Sequence, residues 1–243
     1  SLYTQRKGGV GVKFKLDNGE FILNSFSAQT HDTILFFTNY GNFYSCNISI
    51  LPVDEKVYIN NFVNLRENER IVAAISINKN NNVHNLTFIT KCGMIKKSSI
   101  EEYNIKRQVG VKALNLNEGD ELCDVLTTDS EKIGILTNLG QFLMFVPRDI
   151  IETGRVTKGV KAIKLNDGDY VVSARVVPKT TKEIISITHK GLSKRSNIKD
   201  FSIGSRYTKG QKIQKLKDSK DNLVDFLPIE ENCSIIVLSN KTQ

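Results

Sequence analysis

Tryptophan is absent from this 243-residue chain, and histidine (three), methionine (two) and proline (four) are scarce. Without tryptophan, the WD type of repeat is excluded and a kelch array is disfavoured. The four cysteines, Cys46, Cys92, Cys123 and Cys233, stand far apart and form no C-x-x-C pair. Added to His31, His84 and His189, they offer no metal-ligand spacing, so no metal is expected. Cys46 and Cys233 lie in or beside apolar runs, where a free thiol acts as a small core residue. That usage suits a reducing cytoplasm. No signal peptide and no apolar run approaching a membrane span is present, which sets the expectation of a cytoplasmic protein without a membrane partner. Neither G-x-x-x-x-G-K-[ST] nor a strand-borne G-x-G-x-x-G occurs. No Ser/His/Asp, Cys/His or paired-carboxylate grouping stands apart from the repeats described below, so the chain is expected to be no enzyme on its own.

What the chain does have is a globular composition, 40% apolar, with a mean hydropathy of −0.25. The length allows one large all-β domain or two ordinary ones. Lysine and arginine outnumber aspartate and glutamate by 34 to 26, for a net charge of +8 and a pI near 9.2. That balance favours a polyanionic partner.

Repetition is the strongest signal. ILFFTNYGNFYSCN (34–47), LTFITKCGMIKKSS (86–99), IGILTNLGQFLMFV (133–146) and IISITHKGLSKRSN (184–197) share one plan. Each is a β-rich apolar run, then Thr, two residues, Gly and a second run. Their glycines, Gly41, Gly93, Gly140 and Gly191, are spaced by 52, 47 and 51 residues, and a fifth copy begins within 234–243. The pattern predicts β-hairpins, with glycine supplying the positive φ of a tight turn. A second segment recurs on the same period, as in GVKALNLNEGDELCDVLTT (110–128), GVKAIKLNDGDYVVSARVV (159–177) and GQKIQKLKDSKDNLVDFLP (210–228). GVKFKLDNGEFILNSFSA (11–28) opens the series and NFVNLRENERIVAAISI (61–77) is a degenerate copy. It reads as a strand, a polar turn and another strand, hence a second hairpin. No stretch of 12 or more residues keeps a helical period, and VPRDIIETG (146–154) and SSIEEYN (98–104) allow only short turns. Four strands in about 50 residues is the mark of propeller-like blades. The expected fold is all-β, a propeller-like β-pinwheel of about five to six four-stranded blades forming one domain over 1–243.

Basic residues recur at fixed places in the unit. Before or around each Gly-x-Lys stand Gln5, Arg6, Lys7 and Lys13; Arg107 and Lys112; Arg155, Lys158 and Lys161; and Arg206, Lys209 and Lys212. The hairpins add Lys91, Lys96, Lys97, Lys190, Lys194 and Arg195. In a cyclic array, equivalent positions share one rim, so these charges are expected to form a band. Acidic residues gather instead in the other turns, at Glu118, Asp120, Glu121, Asp167 and Asp169. A solvated surface that protects strand edges would look similar for any single lysine.

Three motifs then point to a family. THDTILFFTNYGNFYSCNISILP (30–52), GVKAIKLNDGD (159–169) and above all QRKGGVG (5–11) make essentially the whole chain resemble the C-terminal domain of the DNA gyrase A protein. That family carries a box, Q-R-R-G-G-K-G, matched here at Gln5, Arg6, Gly8, Gly9 and Gly11. Lys7 keeps the charge but not the bidentate reach of arginine, and Val10 removes a cation. The resemblance implies a β-pinwheel with strands exchanged between blades, which binds double-stranded DNA without sequence specificity and bends it around the rim. It implies DNA contact by Gln5, Arg6, Lys7, Gly8, Gly9, Gly11 and Lys13, together with Lys96, Lys97, Arg107, Lys112, Arg155, Lys158, Lys161, Lys194, Arg195, Arg206, Lys209 and Lys212; alternatively, the glycine-rich loop latches first blade to last. It further implies partnership with an N-terminal cleavage domain and the gyrase B protein, a nucleoid-associated location, and ATP and Mg²⁺ used elsewhere in the holoenzyme, with no cofactor in this domain. The Val10 departure leaves open the decatenating relative, topoisomerase IV. A propeller that binds an acidic protein is the other alternative.

Overall fold

A run such as ILFF has no polar face, so such a strand must be covered on both sides. A computed structural model, which describes residues 2–4, 27–77, 84–105, 109–127, 131–216, 218 and 220–230, shows how. The first unit contains β1 (Leu2–Tyr3), β2 (Thr33–Thr38), β3 (Asn42–Asn47), β4 (Lys56–Val57) and β5 (Ile71–Ile77). The second contains β6 (Asn85–Thr90), β7 (Met94–Ser99), β8 (Val111–Lys112) and β9 (Leu122–Thr127). In the third lie β10 (Lys132–Thr137), β11 (Gln141–Phe145), β12 (Val160–Lys161) and β13 (Val171–Val177). The fourth has β14 (Glu183–Thr188), β15 (Ser193–Asn197), β16 (Gln211–Lys212) and β17 (Leu223–Ile229). Among the described residues no α-helix occurs; short 3-10 turns such as Ile100–Tyr103 and Pro147–Asp149 follow the hairpins.

The four T-x-x-G segments are tight hairpin turns. Each glycine amide donates to the threonine carbonyl at 2.9 or 3.0 Å, and Gly41, Gly93, Gly140 and Gly191 have φ of +71°, +76°, +90° and +81°. Each threonine Oγ1 accepts from the backbone amide four residues on, at 3.0–3.3 Å. Threonine therefore holds the turn shut while glycine meets its φ requirement.

The second recurrent segment departs from the sequence expectation. Its pattern predicts a hairpin of its own, but its two strands join different sheets. The sheets run β5-β2-β3-β8, β9-β6-β7-β12 and β13-β10-β11-β16, with β17-β14-β15 as a fourth. Thus β8, which follows the second hairpin, returns to the first blade, while β9 completes the second. Three successive blades each take their outermost strand from the next unit. β4, at the corresponding place after the first hairpin, pairs with β1.

Blades pack face to face, and the apolar layers lie between them. Phe37, Phe43, Phe88 and Tyr103 interlock between the first two blades, with ring centroids 5.2–6.0 Å apart. Ile89, Ile95, Ile133 and Ile135 fill the next layer, and Phe142, Phe201 and Phe226 the one after. The inner strands β5, β9, β13 and β17 run side by side. Adjacent blades are also stitched by backbone bonds: Leu122, Val171 and Leu223 amides donate to Asn39, Lys91 and Asn138 carbonyls of the preceding hairpin turn, all at 2.9 Å. Cys46 is buried in the core as expected, whereas Cys92 is exposed on a turn.

Candidate nucleic-acid interface

The outermost strands bring together lysines far apart in sequence. Lys112 pairs with Asn42, Lys161 with Met94 and Lys212 with Gln141, in each case the residue after the hairpin glycine. The three side chains therefore occupy one register position on three successive blade edges, and all are exposed. The glycine two residues earlier makes this edge possible. A Cβ on Gly159 would lie 2.2 Å from the Ile95 carbonyl oxygen, and one on Gly210 2.5 Å from that of Phe142, while both have φ near +75° (+80° and +73°). Only glycine lets the incoming backbone lie this close against the hairpin.

Lys158 and Lys209, immediately before those glycines, are exposed as well, and Lys97 is half-buried on β7, the strand that β12 joins. The Lys212 ammonium donates to the Leu139 carbonyl at 2.5 Å, and the Lys161 ammonium stands 5.4 Å from the centre of the Tyr207 ring. None of these six pairs with a carboxylate among the described residues. The segments 105–115, 153–161 and 201–216 contain no acidic residue. Glu152 bridges to Lys97 through backbone.

Five cations expected on the rim make contacts within the domain, and for Lys96, which is buried, the expectation is corrected. Lys96 is 1% exposed; its ammonium donates to the Ala113 carbonyl at 3.1 Å, to the Arg155 carbonyl and to the Tyr103 hydroxyl at 3.4 Å, 5.3 Å from the Phe88 ring centre. Burial, opposed by the Glu102 charge and aided by that of Arg155, brings its pKa down to about 8. Lys194 stands at the same place in its hairpin but is exposed, and it donates to the Ile213 carbonyl at 2.7 Å. Both lysines tie a hairpin to the strand end of the preceding blade. Arg155 is half-buried over the Phe43 ring, with Nε and Nη1 enclosed, and Arg206 donates to the Lys161 carbonyl at 3.0 Å. These arginines also sit between blades. Arg195 is exposed but paired, its Nε 2.5 Å from Glu183 Oε2. Gln5, Arg6, Lys7, Gly8, Gly9, Gly11, Lys13 and Arg107, with the fifth hairpin within 234–243, lie outside the described residues.

The acidic turns have a structural task that sequence reasoning missed. Asp120, Asp169 and Asp221 are buried, and each Oδ1 accepts an amide of a hairpin turn, from Cys92 (2.9 Å), Leu139 (3.2 Å) and Lys190 (3.2 Å). Glu69 plays the same part in the first blade, accepting from Thr38 Oγ1 (2.6 Å), Asn42 Nδ2, Tyr44 and the Arg66 amide (each 2.9 Å). Burial alone would raise the Glu69 pKa, but these bonds outweigh it and hold it below the usual range. The recurring acid two residues before an inner strand was the signal.

Among the described residues no cluster of three or more His, Cys, Asp or Glu could hold a metal, and no helix is long and apolar enough to cross a membrane. The arrangement offers a row of ammonium groups without carboxylate partners on successive strand edges, suited to a regular polyanion.

A family model for the DNA gyrase C-terminal domain, a β-propeller, matches residues 59–78, 84–129, 135–178 and 182–230. The DNA gyrase A protein of Helicobacter pylori is 32% identical over 243 residues, covering 97% of this chain and 29% of the relative. That of Buchnera aphidicola is 34% identical over 246 residues, covering 99% and 29%. The chain thus spans about 30% of the length of such relatives. Among solved structures, the C-terminal domain of DNA topoisomerase IV is similar with a TM-score of 0.80 at 27% identity, covering 89% of this chain and 69% of that one. A DNA gyrase A C-terminal domain shares the fold, with a TM-score of 0.54 at 21% identity and 92% of each chain covered.

Proposed function

Because the chain belongs to the DNA gyrase C-terminal domain family of type II topoisomerases, we propose that it binds duplex DNA along its rim and bends it, without reading sequence. In this reading it is a non-catalytic, cofactor-free part of a gyrase that uses ATP and Mg²⁺ in its other domains. Its partners are the N-terminal cleavage domain and the gyrase B protein, beside the nucleoid in the cytoplasm, and its wrapping gives strand passage the direction that yields negative supercoils. The observation that carries the reading is the repeat-equivalent placement of Lys112, Lys161 and Lys212 on three adjoining blade edges.

The energetics allow it. Bending roughly 40 bp through about 180° costs on the order of 10 kcal/mol for a stiffness of ~50 nm. Each neutralised phosphate contributes ~1 kcal/mol at about 0.15 M salt. The six rim lysines above supply a little over half of the ten or so contacts needed. Arg6, Lys7, Lys13 and Arg107 are assigned the remainder. Replacing Arg6, Lys7 and Lys13 with Ala should therefore abolish bending more than binding, read by end-to-end energy transfer beside gel-shift affinity; equal losses in both would count against this division.

Salt dependence tests the band itself. In the variant Lys112→Gln, Lys161→Gln, Lys212→Gln, the slope of log affinity against log salt should become shallower by about three. An unchanged slope would remove these lysines from the interface. The TM-score of 0.80 favours a second reading, in which the same rim serves a topoisomerase IV. That domain would hold DNA without the handed wrap of a gyrase.

A further inference from the structure

Two successive rim turns share one construction, and a repeated exposed side chain stands at the tip of each. Gly154–Thr157 and Ser205–Thr208 are closed by threonine Oγ1 donating back to the first carbonyl, at 3.1 and 3.0 Å. The second position is arginine in both, Arg155 or Arg206, folded back between blades. The third position is left as the tip: Val156 is 57% and Tyr207 47% exposed. Each precedes by two residues a lysine with no carboxylate partner among the described residues, Lys158 or Lys209. Neither tip adds to a core layer, so packing gives no reason for an apolar group there.

Backbone geometry supplies a second, independent observation. Tyr207, unlike Val156, has φ of +64°. A bulky residue is strained in this left-handed region, which turns usually fill with Gly or Asn. Strain retained at a surface turn points to a task for the side chain.

Resting on the DNA-binding reading above, we propose that Val156 and Tyr207 are seated against the minor groove of the bound duplex, touching sugars and base edges between phosphate-held lysines. Where a duplex curves around a protein, the inward-facing minor groove presents its sugars, and apolar tips resting on those sugars without wedging between base steps gain contact only when the duplex follows the rim. Lysines on either side anchor the strands, and the tips set the curvature. Being neutral, the tips displace no counterions, so their contribution is independent of salt.

The test compares the 243-residue chain with the variant Val156→Ser, Tyr207→Ser. Affinity for a linear duplex of about 60 bp is measured over a salt series, with end-to-end energy transfer reporting the bend. The double variant should lose about five- to tenfold in affinity at every salt concentration, with an unchanged slope and a smaller bend. Lys158→Gln with Lys209→Gln should do the opposite, making the slope shallower by about two. Tyr207→Gly should weaken binding without lowering the thermal midpoint, which separates contact from folding. Parental affinity and bend in the serine variant would overturn the proposal. So would a loss accompanied by a shallower slope, because Tyr207 would then act only through the Lys161 ammonium above its ring. A parental chain without salt-dependent duplex binding would overturn the DNA-binding reading itself, and this inference with it.

Discussion

Lys96 and Lys194 hold the same place, three residues after a hairpin glycine, and both reach the strand end of the preceding blade. The first and third blades carry Tyr44 and Leu143 there, both buried. Aligning the repeats would have marked Lys96 as inward-facing; reading its hairpin alone could not, because β7 is largely covered on both faces and alternation is lost, whereas Lys194 lies on the exposed strand β15. The buried ammonium of Lys96 has a measurable consequence. Its folded pKa, about 8, lies below the 10.5 of a free lysine because burial disfavours the charge. Between those values the unfolded chain binds the extra proton, so this group makes stability rise with pH from about 8 towards 10. In Lys96→Met that rise should be missing when denaturant midpoints of parent and variant are compared from pH 7 to 10. Asp124 behaves in the opposite sense. Burial raises its pKa to about 7 despite Arg175 nearby, so its contribution declines as pH climbs from about 4 through 7. Asp124→Asn should be more stable than the parent at pH 8, with the gain vanishing near pH 4 in the same measurement.

The hairpin is the element most readily read from sequence, since T-x-x-G fixes both its turn and its register. The outer strand is the least. At two residues it has no periodicity, and its partner belongs to a hairpin about 70 residues upstream, such as Lys112 with Asn42. A polar turn between two β-rich runs looks like a hairpin loop; here inter-blade packing separates the runs. What makes the outer strand possible is visible as Gly-x-Lys, once the close approach at glycine is known. Gly159→Ala and Gly210→Ala should each destabilise the fold by at least about 2 kcal/mol, from left-handed strain plus collision with the Ile95 or Phe142 carbonyl. Gly168 has φ of +71° but nothing within 4 Å of a Cβ, so Gly168→Ala should cost only about 1 kcal/mol. Urea midpoints of the three variants check the difference.

At the scale of the whole molecule, stacking blades turns a fifty-residue period into neighbouring charges along one edge. The sequence showed where basic residues recur but not which would be consumed in joining blades. Lys96, Arg155 and Arg206 are drawn in between blades, while Lys112, Lys158, Lys161, Lys194, Lys209 and Lys212 are exposed. This division gives a rigid support beneath a charged rim, which suits a partner that has to be held in a curve. The most direct measurement of that claim is plasmid topology after nicked circular DNA is ligated in the presence of increasing amounts of the chain. Wrapping around the rim predicts a progressive, one-signed shift in linking number, positive in hand for a gyrase domain, that disappears in the Lys112→Gln, Lys161→Gln, Lys212→Gln variant and at high salt. A topoisomer distribution centred where it lies without protein, under conditions where the duplex is bound, would contradict the account.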